Sequence, residues 1–180
     1  MSKGTNVRVR AFEAHDAEAV ARLFADYMEE TYGAASPMSA AVLLIEGQGH
    51  RFNLVVAADS QDEPIGFAAW RDTYDLHNAV SGGEIPDLFV ERRHRGRALS
   101  LRLVAAIARA VAARGGVFLT GQVLLDEGHR QRLVHRLAFG FPGESVYVSG
   151  RAMRSLAELV DLDARTLLKR LPSPSQSKEP

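Results

Sequence analysis

The stretch RHRGRA, residues 93–98, stands between a short apolar run, DLFV, and a long alanine-rich segment, and its residue types suit the holding of an anion. A glycine in a strand-to-helix turn lets several backbone N–H groups converge on the first helical turn, where the helix dipole also favours negative charge. Phosphate oxygens fit such a cradle. Gly96 permits close approach, Ala98 keeps the wall small, and the neighbouring arginines offer charge-assisted contacts. The same spacing occurs in structural turns with solvated arginines, so the surrounding elements must decide between the two.

Those elements alternate in type along the chain. NVRVRAF alternates apolar and polar residues as a strand does, and Ala19, Val20, Leu23, Phe24 and Tyr27 then recur at helical spacing, with His15 or Asp16 as cap and Gly33 as stop. Ser36 and Pro37 restart the chain into a short helix over 40–45. RFNLVVAAD and EPIGFAAWRDTYD, joined by SQDE, predict an antiparallel hairpin with Trp70 in its core, and the less regular LHNAVSGG leads to a strand at EIPDLFV. A helix over 97–114 stops at Gly115 and Gly116, before the buried strand VFLTGQVLL. A strand, helix, strand unit of this kind predicts a parallel pair. Beyond it come a short helix in EGHRQRLVHRLAFGF, a strand in ESVYVSGRAM, a leucine-rich helical extension over 151–171 and a disordered tail over 172–180.

Composition narrows the function classes. The 180 residues carry 22 basic and 22 acidic side chains, so no whole-protein field draws the chain to nucleic acid or an anionic membrane. There is no cysteine, which removes disulfides, thiolate metal sites and cysteine nucleophiles together. The six histidines form no HxxxH or HExxH pattern, so no metal is expected. No apolar run approaches the roughly 18 residues of a membrane span, and the first residues lack a signal-type apolar core, which predicts a cytoplasmic protein. A dinucleotide site would want GxGxxG, which is missing, and several antiparallel strands precede the turn. A nucleic-acid reader would want a basic helix after the turn, whereas this one is almost all Ala, Leu, Val and Ile.

With its preceding DLFV strand, RHRGRA resembles the Q/R-x-x-G-x-G/A signature of the GNAT superfamily of acyl-CoA-dependent N-acetyltransferases, and the order of elements over 7–150 agrees. The resemblance implies an α/β (α+β) fold with a mixed, mainly antiparallel sheet, splayed central strands and flanking helices. It implies acetyl-CoA as co-substrate, its pyrophosphate held by backbone amides of Arg95, Gly96, Arg97, Ala98 and Leu99 with help from Ser100. Phe89 and Val90 would line the acyl and pantetheine end, and an amide of one of them would face the thioester oxygen.

Acetyl transfer requires a neutral amine, while an alkyl ammonium titrates near 10.4, so a base must take its proton. EIPDLFV resembles the LEDLFV-like strand of the diamine and thialysine branch, with Pro86 where that branch carries its glutamate. Glu84 and Asp87 are the candidate bases, and a regular pleat would put them on opposite faces. Asp72, Asp75 and His77 could instead meet a cationic substrate. Arg136 stands where many members carry a tyrosine acid, leaving Tyr147 and Tyr74 as replacements. The expected reaction is direct transfer to a primary amine of a small molecule, with no nucleic-acid or membrane partner; the leucine-rich helix past residue 154 is either a flap that closes the core or the contact of a homodimer. The alternative is a GNAT-fold module that binds acyl-CoA without turnover.

Overall fold

A computed structural model describes residues 7–121. The elements are β1 (Arg8–Ala11), a 3-10 turn (Ala14–Asp16), α1 (Ala17–Tyr32), α2 (Ala40–Glu46), β2 (Asn53–Ala58), β3 (Pro64–Asp75), β4 (Val80–Val90), a second 3-10 turn (Arg92–His94), α3 (Leu99–Ala113) and β5 (Phe118–Gly121). The sheet order is β1-β2-β3-β4-β5. The first four strands are antiparallel neighbours, and β5 joins β4 in parallel after the α3 crossover, as the strand, helix, strand reading predicts. The expected elements past residue 121, with Arg136 and Tyr147, lie outside the described residues.

Helices cover both faces of the sheet. Val20, Leu23 and Phe24 of α1 and Leu43 of α2 pack with Val56, Phe67 and Phe89 on one face. On the other, Leu99, Leu103, Ile107 and Val111 of α3 pack on Val55, Ala68, Trp70 and Val90. The spacing of those α3 positions keeps one stripe inward. Trp70 is buried in this core, and Arg114 lies 4.7 Å from its ring centroid.

Several local signals work differently from the expectation. Asp16 does not cap α1 with its side chain; its carboxylate accepts from Glu13 N–H at 2.7 Å and from Arg10 at 2.6 and 2.8 Å, closing the 3-10 turn behind it. Asp16 is fully buried, so this pairing satisfies a charge that would be costly alone. Gly33 ends α1 in the left-handed region, as expected. The cap of α2 is Ser39, whose Oγ accepts from Val42 N–H, while Ser36 Oγ holds Met38 N–H one turn earlier.

The third strand of the meander starts at Val80, four residues before the expected EIPDLFV. The Asp75 carboxylate accepts from the N–H groups of His77 and Asn78 and from the Asn78 amide, which folds 76–79 into a tight turn instead of an irregular loop. Gly82 and Gly83 weaken the strand signal, yet packing needs them there: a Cβ at Gly83 would sit 2.6 Å from Val111 Cγ2. α3 begins at Leu99 rather than Arg97 because Gly96 and Ala98 both hold positive φ, 77° and 56°.

Candidate active site

Two features meet on β4, the turn at its end and the acids along its length. Past Val90 the chain makes its short 3-10 turn and swings through left-handed Gly96 and Ala98 into α3. The first intrahelical bond runs from Arg102 N–H to Ala98 O at 3.0 Å, so the amides of Leu99, Ser100 and Leu101 precede the ladder. Gly96, Arg97, Ala98 and Ser100 are exposed, and a Cβ built on Gly96 would meet nothing within 4 Å. The open space at Gly96, beside the start of α3, leaves room for a ligand of pyrophosphate size. Glycine is required here by its positive φ, not by a neighbouring protein atom.

The arginine side chains are mostly tied elsewhere. Arg93 Nε donates to Glu91 at 2.9 Å, and Arg102 donates to Val7 O at 2.7 Å. Arg95 reaches back along the strand to Val90 O and across to Glu30 of α1. The Arg95 N–H is also engaged, donating to Arg92 O at 3.3 Å, so the backbone amides open to an anion at this turn begin after it.

The side chains of Phe89 and Val90 are both buried, in opposite cores. What remains for a ligand is the backbone. Glu91 N–H donates to Ile65 O of β3, so strand alternation turns the Val90 N–H the other way, toward the β5 side. Of the two amides considered, Val90 is the one aimed away from β3.

The two acids share a face, which corrects the expectation of opposite faces. Ala69 pairs with Asp87 and Arg71 with Glu84, so Ile85 and Pro86 together oppose the single residue Trp70. This is a β-bulge, and the extra residue restores to one face two positions that a regular pleat would separate. Proline suits the site because it has no N–H to lose from the ladder.

Glu84 is held by its cross-strand partner, Arg71 Nε donating to its Oε2 at 2.7 Å. That neighbouring carboxylate raises the Arg71 pKa. Asp87 lies against α1. Burial raises its carboxyl above the usual range, and a hydrogen bond from Tyr27 partly opposes the rise. The Tyr27 phenol is pushed well above its ordinary value, first by burial, then by its hydrogen bond with Tyr32 and by the Asp87 charge. Tyr27 sits 5.9 Å from the Phe89 ring and 6.0 Å from Tyr32, which is exposed. The result is a half-buried acid with an aromatic wall. An acid in that setting is better matched to accept a proton near neutral pH than a solvated one.

Asp72 and Asp75 lie at the end of β3: Arg114 Nη1 donates to Asp72 at 3.0 Å, and Asp75 builds the turn with His77 and Asn78. Tyr74 is exposed near that end of the strand. Among the described residues no group of three His, Asp or Glu is placed to hold a metal ion, and no helix is long and apolar enough to cross a membrane.

Tyr27, Tyr32, Arg71 and Glu30 were not legible as site residues. Tyr27 fits the helical stripe of α1 equally well as core, and only the packing of α1 on β4 brings it to Asp87. The one available signal was the hairpin register, which could have paired Arg71 with Glu84.

A model of the acetyltransferase (GNAT) family matches residues 17–141. The chain belongs to the GNAT acetyltransferase family. Membership implies acyl transfer from an acyl-CoA donor. Among solved structures, an integron cassette protein from the mobile metagenome of V. cholerae aligns with a TM-score of 0.69 at 16% identity, over 86% of this chain and 99% of that one. Ribosomal-protein-alanine N-acetyltransferase from Brucella melitensis biovar Abortus 2308 aligns at 0.65 and 19%, over 80% and 99%. A transcriptional regulator from Bacillus halodurans C-125 aligns at 0.67 and 18%, over 81% and 100%. These likenesses establish the GNAT fold: a mainly antiparallel sheet flanked by helices. No curated protein matches the chain in sequence.

Proposed function

We propose that the protein transfers an acetyl group from acetyl-CoA to a primary amine of a small molecule, directly, within a ternary complex. The reading is carried by one juxtaposition. Val90 and the open turn at Gly96 stand at the end of the same strand that bears Asp87, so donor and proton acceptor are positioned by one element. The amides of residues 96–100 hold the pyrophosphate, and Val90 N–H donates to the thioester oxygen as negative charge develops on it.

Asp87 takes one proton from the ammonium. The neutral amine attacks the thioester carbonyl, a C–N bond forms, the C–S bond breaks, and the second proton that the nitrogen sheds to solvent is balanced by the one the thiolate gains in leaving as CoA. Tyr27 packs beside the Asp87 carboxylate and shields it from water. Glu84, fixed on the same face by Arg71 through Oε2, offers Oε1 as an acceptor for the ammonium beside Asp87. The reading calls for a cytoplasmic protein with no nucleic-acid or membrane partner.

The test is release of free thiol from acetyl-CoA across a panel of primary amines. The chain has no cysteine, so every thiol detected comes from CoA. Amine-dependent release that Asp87→Asn abolishes supports the reading. Tight acetyl-CoA binding with no release on any amine would replace it with the role of a binding module.

A further inference from the structure

The Arg95 side chain makes three contacts. Its Nε donates to Val90 O at 2.8 Å. Its two terminal nitrogens meet the two oxygens of Glu30 at 2.6 and 2.8 Å, a bidentate pair. Its guanidinium carbon lies 5.4 Å from the Phe89 ring centroid. One side chain thus joins the anion-holding turn, the end of β4 and the last turn of α1.

Glu30 stands three residues after Tyr27 on α1, so the two lie on neighbouring positions of one helix face. The end of α1 therefore meets β4 at two points, Tyr27 beside Asp87 with its ring 5.9 Å from that of Phe89, and Glu30 paired with Arg95. The first point belongs to the acceptor side of the proposed reaction. The second begins in the residue immediately before Gly96. A ligand that fixes the turn fixes the backbone of Arg95, and the bidentate pair has little freedom to absorb that restraint.

We propose that Arg95 is a positioning residue that couples occupancy of the cofactor turn to the placement of α1, and with it Tyr27, against β4. The proposal rests on the reading of the turn as the CoA site. A bound donor then holds Tyr27 in place on β4 through Arg95 and Glu30.

The experiment is hydrogen exchange on the full chain with and without saturating CoA, for wild type, Glu30→Gln and Arg95→Lys, with CoA affinity measured in parallel by calorimetry. In the wild type, CoA is expected to slow exchange at the end of α1, where Gly33 N–H donates to Glu29 O, by about tenfold, the scale of one charge-assisted hydrogen bond. In both variants CoA should still bind and protect the turn, while the slowing at α1 is lost. A purely structural salt bridge would change exchange equally with and without CoA, so the ligand-dependent difference is the discriminating readout. Protection of α1 that persists in both variants, or that never occurs in wild type although CoA binds, overturns the coupling. Failure of wild type to bind CoA overturns the reading beneath it.

Discussion

Replacing Gly96 by aspartate and, separately, by asparagine isolates charge from shape at the turn. Both residues tolerate positive φ better than most, and nothing lies within 4 Å of a Cβ built there, so the two variants should fold alike. Each loses up to about 1–2 kcal/mol to the left-handed backbone, which for a chain of this size lowers the Tm by about 2–8 °C. They differ by one negative charge beside the space assigned to the pyrophosphate. A pair of like unit charges about 4 Å apart repels by about 1 kcal/mol in bulk water and about 4 kcal/mol at an effective dielectric of 20. The Asp variant should therefore bind CoA more weakly than the Asn variant by at least about fivefold and up to several hundredfold, at about 1.4 kcal/mol per decade. Isothermal calorimetry with CoA, at two ionic strengths, measures the ratio and its screening. Equal dissociation constants for the two variants, with similar melting temperatures, would refute the placement of phosphate at this turn.

Other substitutions test the acid face and the fold. Asp87 has its carboxyl raised by burial, so the folded state favours the protonated form and loses stability as pH rises from the unfolded value through the folded one. Asp87→Asn removes that penalty: thiol release should collapse at neutral pH while the melting temperature holds or rises, and a fall in both would recast Asp87 as structural. Asp16→Asn leaves the nearly buried Arg10 without its main partner and should cost about 3–5 kcal/mol in urea unfolding; a loss below about 1 kcal/mol would mean that Asp62 suffices. Gly83→Ala drives a Cβ into Val111 and should destabilise by about 1–3 kcal/mol, with partial recovery in the Gly83→Ala, Val111→Ala double variant. No recovery would place the strain elsewhere.

Much of the scaffold was readable because its signals are local and strong. The α1 stripe of Val20, Leu23 and Phe24, the Gly33 stop and the β2–β3 hairpin follow from period and turn chemistry alone. The start of β4 was missed because Ser81, Gly82 and Gly83 have weak strand propensity, and their reason for being there is the side chain of a helix and a strand far along the chain. The same limit applies to the site. RHRGRA announces a turn that can hold an anion, since glycine and the helix start are local facts. Which face Glu84 and Asp87 occupy depends on a bulge that only the register against β3 reveals. That Asp87 meets Tyr27, and Arg95 meets Glu30, depends on how α1 lies on the sheet, which no spacing within either segment encodes.

The most direct test of the account is thermal unfolding of the protein with and without acetyl-CoA and CoA, with ATP and a short DNA duplex as controls. At 100 times its dissociation constant a ligand adds about 2.7 kcal/mol, which for a chain of this size raises the Tm by about 5–11 °C. The account predicts that shift with both CoA forms and none with DNA. A cooperative transition that neither CoA form moves would contradict it.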